Sequence, residues 1–163
     1  YFLKKIWPRL IAQSPDVNLC VAGRNPPDWL AQLGRSDPRI SITGFVDDVR
    51  PYFQKAAVCI CPILSGGGTR LKILDSLAMG VPVVATSFAA SGLSLRHDKH
   101  LLLADSEDEF ARAILELLGD QALRVRLSRA GADRVHEVYS WAVVAKALIE
   151  AYEFASRNQA IAG

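Results

Sequence analysis

Between Ser65 and Thr86 the chain reads Ser-Gly-Gly-Gly-Thr-Arg-Leu-Lys-Ile-Leu-Asp-Ser-Leu-Ala-Met-Gly-Val-Pro-Val-Val-Ala-Thr. Three glycines stand directly before an amphipathic run, which is a chemically distinctive arrangement. The first amides of a helix have no partners inside it, and the helix dipole adds about half a positive charge there. A lead-in without side chains lets an anion come close to that backbone, so the pattern predicts a phosphate seat. Gly66, Gly67 and Gly68 would supply the approach, Thr69 a hydroxyl, and Arg70 a planar charged fork matched to phosphate oxygens. A plain flexible loop would contain the same glycines, and glycine content alone leaves both readings open.

The neighbouring residues exclude two familiar uses. No Gly-Lys-Ser/Thr follows the glycines where a P-loop needs it, and there is no Gly-x-Gly-x-x-Gly opening a first βα turn. On the helix that follows, Leu71, Leu74, Leu77 and Ala78 fall on one face, and Lys72, Asp75, Ser76 and Met79 fall on the other. Lys72 and Asp75 fit an ordinary solvated pair. They equally fit a cation for phosphate and a carboxylate for ribose hydroxyls.

The elements that must position these groups alternate along the chain. Apolar residues at Phe2, Leu3, Ile6, Trp7, Leu10 and Ile11 predict a helix over 1–13, with Pro8 in a first turn or at a kink. Short apolar strands are expected at 17–22, 39–43, 58–61, 82–85 and 100–103. Helices are expected at 27–33, closed by Gly34; at 48–56, capped by Asp47; and at 69–79, closed by Gly80. Three more follow at 107–118, 121–138 and 140–156. Strands and helices in this rhythm define an α/β fold, a Rossmann-like parallel sheet with helices on both faces and a helical C-terminal extension. Ligands of such sheets bind at the carboxyl ends of the strands, where the glycine loops after Ala22, Thr43 and Cys61 lie.

Composition narrows the function further. The 163 residues carry 19 basic and 17 acidic side chains, a formal net charge of +2. That balance predicts one domain and disfavours an extended nucleic-acid surface, so no nucleic-acid partner is expected. No apolar run is long enough to span a bilayer and no signal-peptide pattern opens the chain, which predicts a soluble, cytoplasmic domain. Cys20, Cys59 and Cys61 sit in strand-like runs and are read as buried small hydrophobes rather than disulfides or half of a metal site. His97, His100 and His136 read as loop, strand-edge and helix-surface residues. The single methionine, Met79, and a helix already under way at Tyr1 suggest part of a longer protein.

The order of the pieces resembles the C-terminal half of group-one GT-B glycosyltransferases. The resemblance runs from Leu19 to about Tyr152 through Val-Ala-Gly, Ile-Thr-Gly-Phe-Val-Asp-Asp-Val, Val-Cys-Ile-Cys-Pro, the Gly-Gly-Gly-Thr-Arg-Leu-Lys stretch and Tyr139-Ser140-Trp141. Leu74 to Thr86 carries it most specifically. It implies that residues 1–163 form a single domain, half of a GT-B fold, which holds a nucleoside-diphosphate sugar as donor substrate. The other half of the full-length chain would hold the acceptor. Phosphate would rest on Gly66, Gly67, Gly68, Thr69, Arg70 and Lys72, and the ribose on Asp75. Phe45 and Val46, beside Gly44, would border the base, while Gly23, Arg24 and Asn25 would border the pyrophosphate or sugar. Of the family's two glutamates eight positions apart, the second falls on Asp75 and the first on Gly67, so the carboxylate expected against the donor sugar is absent. A branch of the family resembles this glycine-rich form.

The reaction implied is transfer of a sugar from a nucleoside diphosphate to a hydroxyl with retention at the anomeric carbon. No cofactor or metal is required, and no catalytic base is assigned. Any membrane contact would be peripheral and made through the other half, and the isolated domain is expected to be inactive. The alternative is a nucleotide- or partner-binding module that kept the fold without transferase activity. A response-regulator receiver would need an Asp at the end of the third strand, where Cys61-Pro62 stands. An epimerase or hydrolase on the same scaffold would turn over the donor without an acceptor.

Overall fold

A computed structural model describes residues 1–159, with side chains through residue 156. The chain opens with a π-helical turn, Phe2–Ile6, that runs into α1, Trp7–Gln13. Pro8 explains the join: it lacks an amide hydrogen and its ring conflicts with the carbonyl four residues back. The turn widens there, with the Trp7 amide donating to the carbonyl of Phe2, and Pro8 falls in the first turn of α1.

The strands are β1 (Leu19–Ala22), β2 (Ile40–Gly44), β3 (Cys59–Cys61), β4 (Val83–Ala85) and β5 (Leu102–Leu103). Between and after them lie α2 (Asp28–Ser36), α3 (Arg50–Lys55), α4 (Leu71–Ala78), α5 (Ser87–Ala90), α6 (Glu107–Gly119), α7 (Gln121–Tyr139) and α8 (Trp141–Gln159). All strand pairs are parallel, but they form two ladders: β1 beside β2, and β4 between β3 and β5. The expected doubly covered strands are found in the second ladder. β1 instead exposes Cys20 and Ala22, and α2, which packs on the neighbouring β2, buries no side chain completely.

Period-two alternation distributes the second ladder between two cores. Val84 and Leu102 face one way, into a cluster with Ile6 and Leu10 before and within α1 and with Phe110, Ile114 and Leu117 of α6. Val83, Ala85, Cys59 and Cys61 face the other way, against Ile73, Leu74 and Leu77 of α4 and Val135 of α7. Each fully buried Leu or Ile adds about 1.5–3 kcal/mol, so these two clusters fix the height and rotation of α4 on the sheet. Cys61 and Cys59 are packing residues, as their spacing implied, whereas Cys20 is exposed.

Four local expectations are corrected. Gly34 does not close α2 but lies inside it, where a β-carbon would come within 2.7 Å of Ile42 Cγ1; glycine lets the helix rest on β2. Asp48, not Asp47, binds the start of α3, accepting from the Arg50 amide at 2.9 Å. The helix at 69–79 begins two residues later, at Leu71, leaving Thr69 and Arg70 in the loop. Its buried face is Ile73, Leu74, Ser76 and Leu77, while Leu71 is 63% exposed and Ala78 is exposed. Ser76 fits in the core because its hydroxyl donates to the Val81 carbonyl at 3.1 Å, which satisfies a buried polar group locally. Gly80 stops the helix with φ +73°, as its position predicted.

Candidate functional site

The loop after β3 is anchored from below by Thr86, at the end of β4. Its hydroxyl is buried, donates to the Ile63 carbonyl, and accepts from the Ala89 amide at 3.0 Å as the N-cap of α5. One side chain thus ties the loop from β3 to the turn that follows β4. A second tie holds that turn: Asp105 accepts from the Ser87 amide and hydroxyl, both at 2.7 Å.

Beyond Ile63 the backbone turns sharply. Gly66 has φ +118° and Gly68 φ +81°, regions that side chains strongly disfavour, while Gly67 lies outside them. Arg70 then folds back across the loop. Its Nη2 donates to Gly66 O at 2.8 Å, and its Nη1 donates to Gly68 O at 3.1 Å and to Gly67 O. The guanidinium carbon stands 5.8 Å from the centre of the Phe88 ring on α5. The fork expected to face a phosphate is engaged with its own loop.

Lys72 and Asp75 are exposed on α4. Among the described residues they form no ion pair with each other or with any other side chain, so the solvated-pair reading is not realised. Burial pushes the Cys59 and Cys61 thiols up, and the charge of nearby Lys72 opposes that rise.

A second group gathers where β1 and β2 end. The Gly23 amide donates to Gly44 O at 3.1 Å, Gly44 has φ +70°, and Asn25 takes φ +49°. The Arg24 guanidinium stands 5.4 Å from the centre of the Phe45 ring, which is 62% exposed; Val46 is half-buried. The structure brings Gly23, Arg24 and Phe45 together at the ends of β1 and β2. Among the described residues no hydrogen bond, ion pair or ring contact joins this group to Gly66–Arg70.

Thr86, Phe88 and Asp105 were not assigned a role from sequence. Thr86 carried a readable signal, a capping residue ending an apolar run. Phe88 carried none, because its partner is remote in the chain. His97 and His100 hold the segment around β5: the Nδ1 of each accepts a backbone amide, Leu103 at 2.9 Å and Arg96 at 3.0 Å. His100, just before the edge strand β5, is buried, and burial lowers its pKa. His136 is exposed on α7. Among the described residues no group of three or more His, Cys, Asp or Glu side chains could hold a metal ion, and no helix is long and apolar enough to cross a membrane.

A parallel α/β domain with glycine loops at the carboxyl ends of its strands is a nucleotide-binding class of architecture. Comparison with known proteins makes the class specific. Residues 1–120 match the family described as Glycosyl transferases group 1, and the chain belongs to that family. It is similar to phosphatidyl-myo-inositol mannosyltransferase of Mycolicibacterium smegmatis, 30% identical over 154 residues, covering 91% of this chain and 40% of the relative. Its fold matches HepE of Anabaena in complex with UDP and glucose (TM-score 0.78, 16% identity, 91% of this chain and 44% of that one). It also matches the C-terminal domain of a group 1 glycosyltransferase, LpcC, from Francisella tularensis (TM-score 0.73, 22% identity, 85% and 78%). The domain is half of a GT-B fold, and the chain spans about 40% of the length of the curated relative.

Proposed function

We propose that this domain is the donor-binding half of a glycosyltransferase that moves a sugar from a nucleoside diphosphate to an acceptor hydroxyl. The observation that carries the reading is the glycine loop of left-handed backbone leading into α4, whose Lys72 and Asp75 stand exposed and unpaired. The diphosphate rests on Gly66–Arg70 with Lys72 beside it, and Asp75 accepts from the ribose hydroxyls. Phe45 and Val46 border the base, while Gly23, Arg24 and Asn25 border the pyrophosphate or sugar.

In the reaction the bond from the anomeric carbon to the phosphate oxygen breaks and a bond to the acceptor oxygen forms. Negative charge grows on the departing diphosphate, and the acceptor proton passes to solvent. Loop amides, the start of α4 and the Lys72 ammonium are arranged to stabilise that charge. In this reading transfer proceeds with retention and without a metal cofactor. The mannosyltransferase name of the relative supports a hexose donor. The acceptor belongs to the other half of the full-length chain, and α8, with Trp141 87% exposed, presents an apolar surface towards which that half can pack.

Calorimetric titration of the full-length protein with UDP, GDP and ADP, followed by transfer assays with the corresponding hexose donors, tests the reading. One nucleotide should bind selectively, Asp75→Ala should weaken it about tenfold, the size of one lost hydrogen bond to a charged group, and its sugar should be transferred. Equal indifference to all three nucleotides would contradict the reading; binding without any transfer would favour a module that kept the fold alone.

A further inference from the structure

The peptide units of the glycine loop have a geometric property that changes the role of Arg70. In a trans peptide the carbonyl and the amide hydrogen of the same unit point in opposite directions. Among the described residues there are no cis peptides, and the carbonyls of Gly66, Gly67 and Gly68 all converge on the Arg70 guanidinium. The amides of Gly67, Gly68 and Thr69, which belong to those same three units, therefore face away from it. None of these three amides donates a hydrogen bond to any described residue. Three successive outward amides are thereby left free to donate to the oxygens of an anion.

We propose that Arg70 is a positioning residue, which shapes this array from behind, and that Phe88 is the residue that holds Arg70 in place. The inference rests on the donor-binding reading above and refines it: the phosphate oxygens meet backbone amides, while the guanidinium contributes its charge from the far side of the loop. Two features of the side chain suit the task. Its planar fork reaches three carbonyls at once, which a lysine ammonium on a flexible stem does not reproduce. Its flat face can lie over an aromatic ring, and Phe88, 42% exposed on α5, supplies one. Phe88 is in turn fixed because α5 starts at the buried Thr86 cap. The two halves of the arrangement, loop and ring, thus come from the ends of β3 and β4.

A direct phosphate ligand and a positioning residue respond differently to conservative change. Nucleoside-diphosphate affinity of the full-length protein is measured by calorimetry with UDP, GDP and ADP for wild type, Arg70→Lys, Arg70→Ala, Phe88→Ala and Phe88→Tyr. Glycine-labelled amide spectra are recorded without ligand on the same set. The positioning role predicts that Arg70→Lys loses as much affinity as Arg70→Ala, roughly tenfold or more. It also predicts that Phe88→Ala loses affinity although it removes no charge, that Phe88→Tyr restores it, and that the Gly67 and Gly68 amide signals move in the three weakened variants before any ligand is added. Wild-type affinity in Arg70→Lys and Phe88→Ala would overturn the assignment and leave the donor site standing. Failure of the wild type to bind any of the three nucleotides would instead overturn the donor reading itself.

Discussion

Gly66 and Gly68 are the two loop positions where a side chain is penalised by backbone conformation, with φ of +118° and +81°, whereas Gly67 between them has ordinary backbone and open space around it. The three glycines, identical in sequence, are therefore unequal in stability. Gly66→Ala and Gly68→Ala are each expected to cost about 1–2 kcal/mol. Gly67→Ala should be neutral to slightly stabilising, within about 0.5 kcal/mol, because alanine restricts the unfolded chain without straining the folded one. Urea unfolding of the three variants separates them. Equal losses at all three sites would contradict the loop geometry. The residue types of the site were legible in the sequence; the direction of Arg70 was not. Spacing placed a guanidinium beside a glycine loop, but whether it faced outward depended on the three carbonyls and on Phe88, which only the fold brings near.

At the scale of elements, α4 carries the exposed Lys72 and Asp75 and is pressed between the sheet and α7. Gly131 permits that packing: a β-carbon there would lie 2.7 Å from Leu77 Cδ2 and 2.9 Å from the His100 carbonyl oxygen. Gly34 in α2 is also tight, at 2.7 Å, but against a side-chain atom, Ile42 Cγ1, with the nearest backbone atom at 3.4 Å. Gly131→Ala is thus expected to destabilise by about 1–3 kcal/mol, and Gly34→Ala by less, since a side-chain atom yields more readily than a backbone carbonyl. Thermal unfolding of the two variants checks the order, and a larger loss at Gly34 would contradict it. Gly34 also marks the limit of sequence reading, whereas the helix expected at 121–138 already ran through Gly131. Alternation of apolar strands and helices located the elements, because their period and turn residues are local properties. Gly34 reads as a stop until the neighbouring element shows that contact is the reason. The rotation of α4 was misjudged for a related cause: Ser76 counted as polar by type, yet the Val81 carbonyl lets it sit in the core, and Leu71 took the exposed place.

For the whole molecule, the connection between α2 and β2 gives a pH response of definite sign. Arg39 donates to Asp37 through its side chain, at 2.8 and 2.9 Å, and through its backbone amide at 3.0 Å; these bonds lower the Asp37 pKa from 3.8 to about 2. The unfolded chain then binds a proton that the folded one refuses, so the stabilisation is complete above about pH 4 and fades as pH falls towards 2. Side-chain hydrogen bonds lower Asp48 and Asp98 in the same direction, through Arg50 and Arg126. The difference in thermal midpoint between wild type and Asp37→Asn should shrink steadily between pH 5 and pH 2, and a difference that grew on acidification would contradict the pairing.

The same scale holds the α8 surface. Trp141, Val144, Leu148 and Tyr152 are exposed, and no α8 side chain within the described residues enters either core. The proposed donor site draws only on the ends of the strands, the glycine loop and α4. The most direct test of the central claim is to record amide signals of the full-length protein, labelled at glycine, while adding the nucleoside diphosphate that binds and, separately, its parent nucleoside. The account predicts that Gly67 and Gly68 shift strongly with the diphosphate and little with the nucleoside, because the diphosphate is what rests on their amides. Signals that stay fixed while the diphosphate binds would place the phosphates elsewhere and contradict the account.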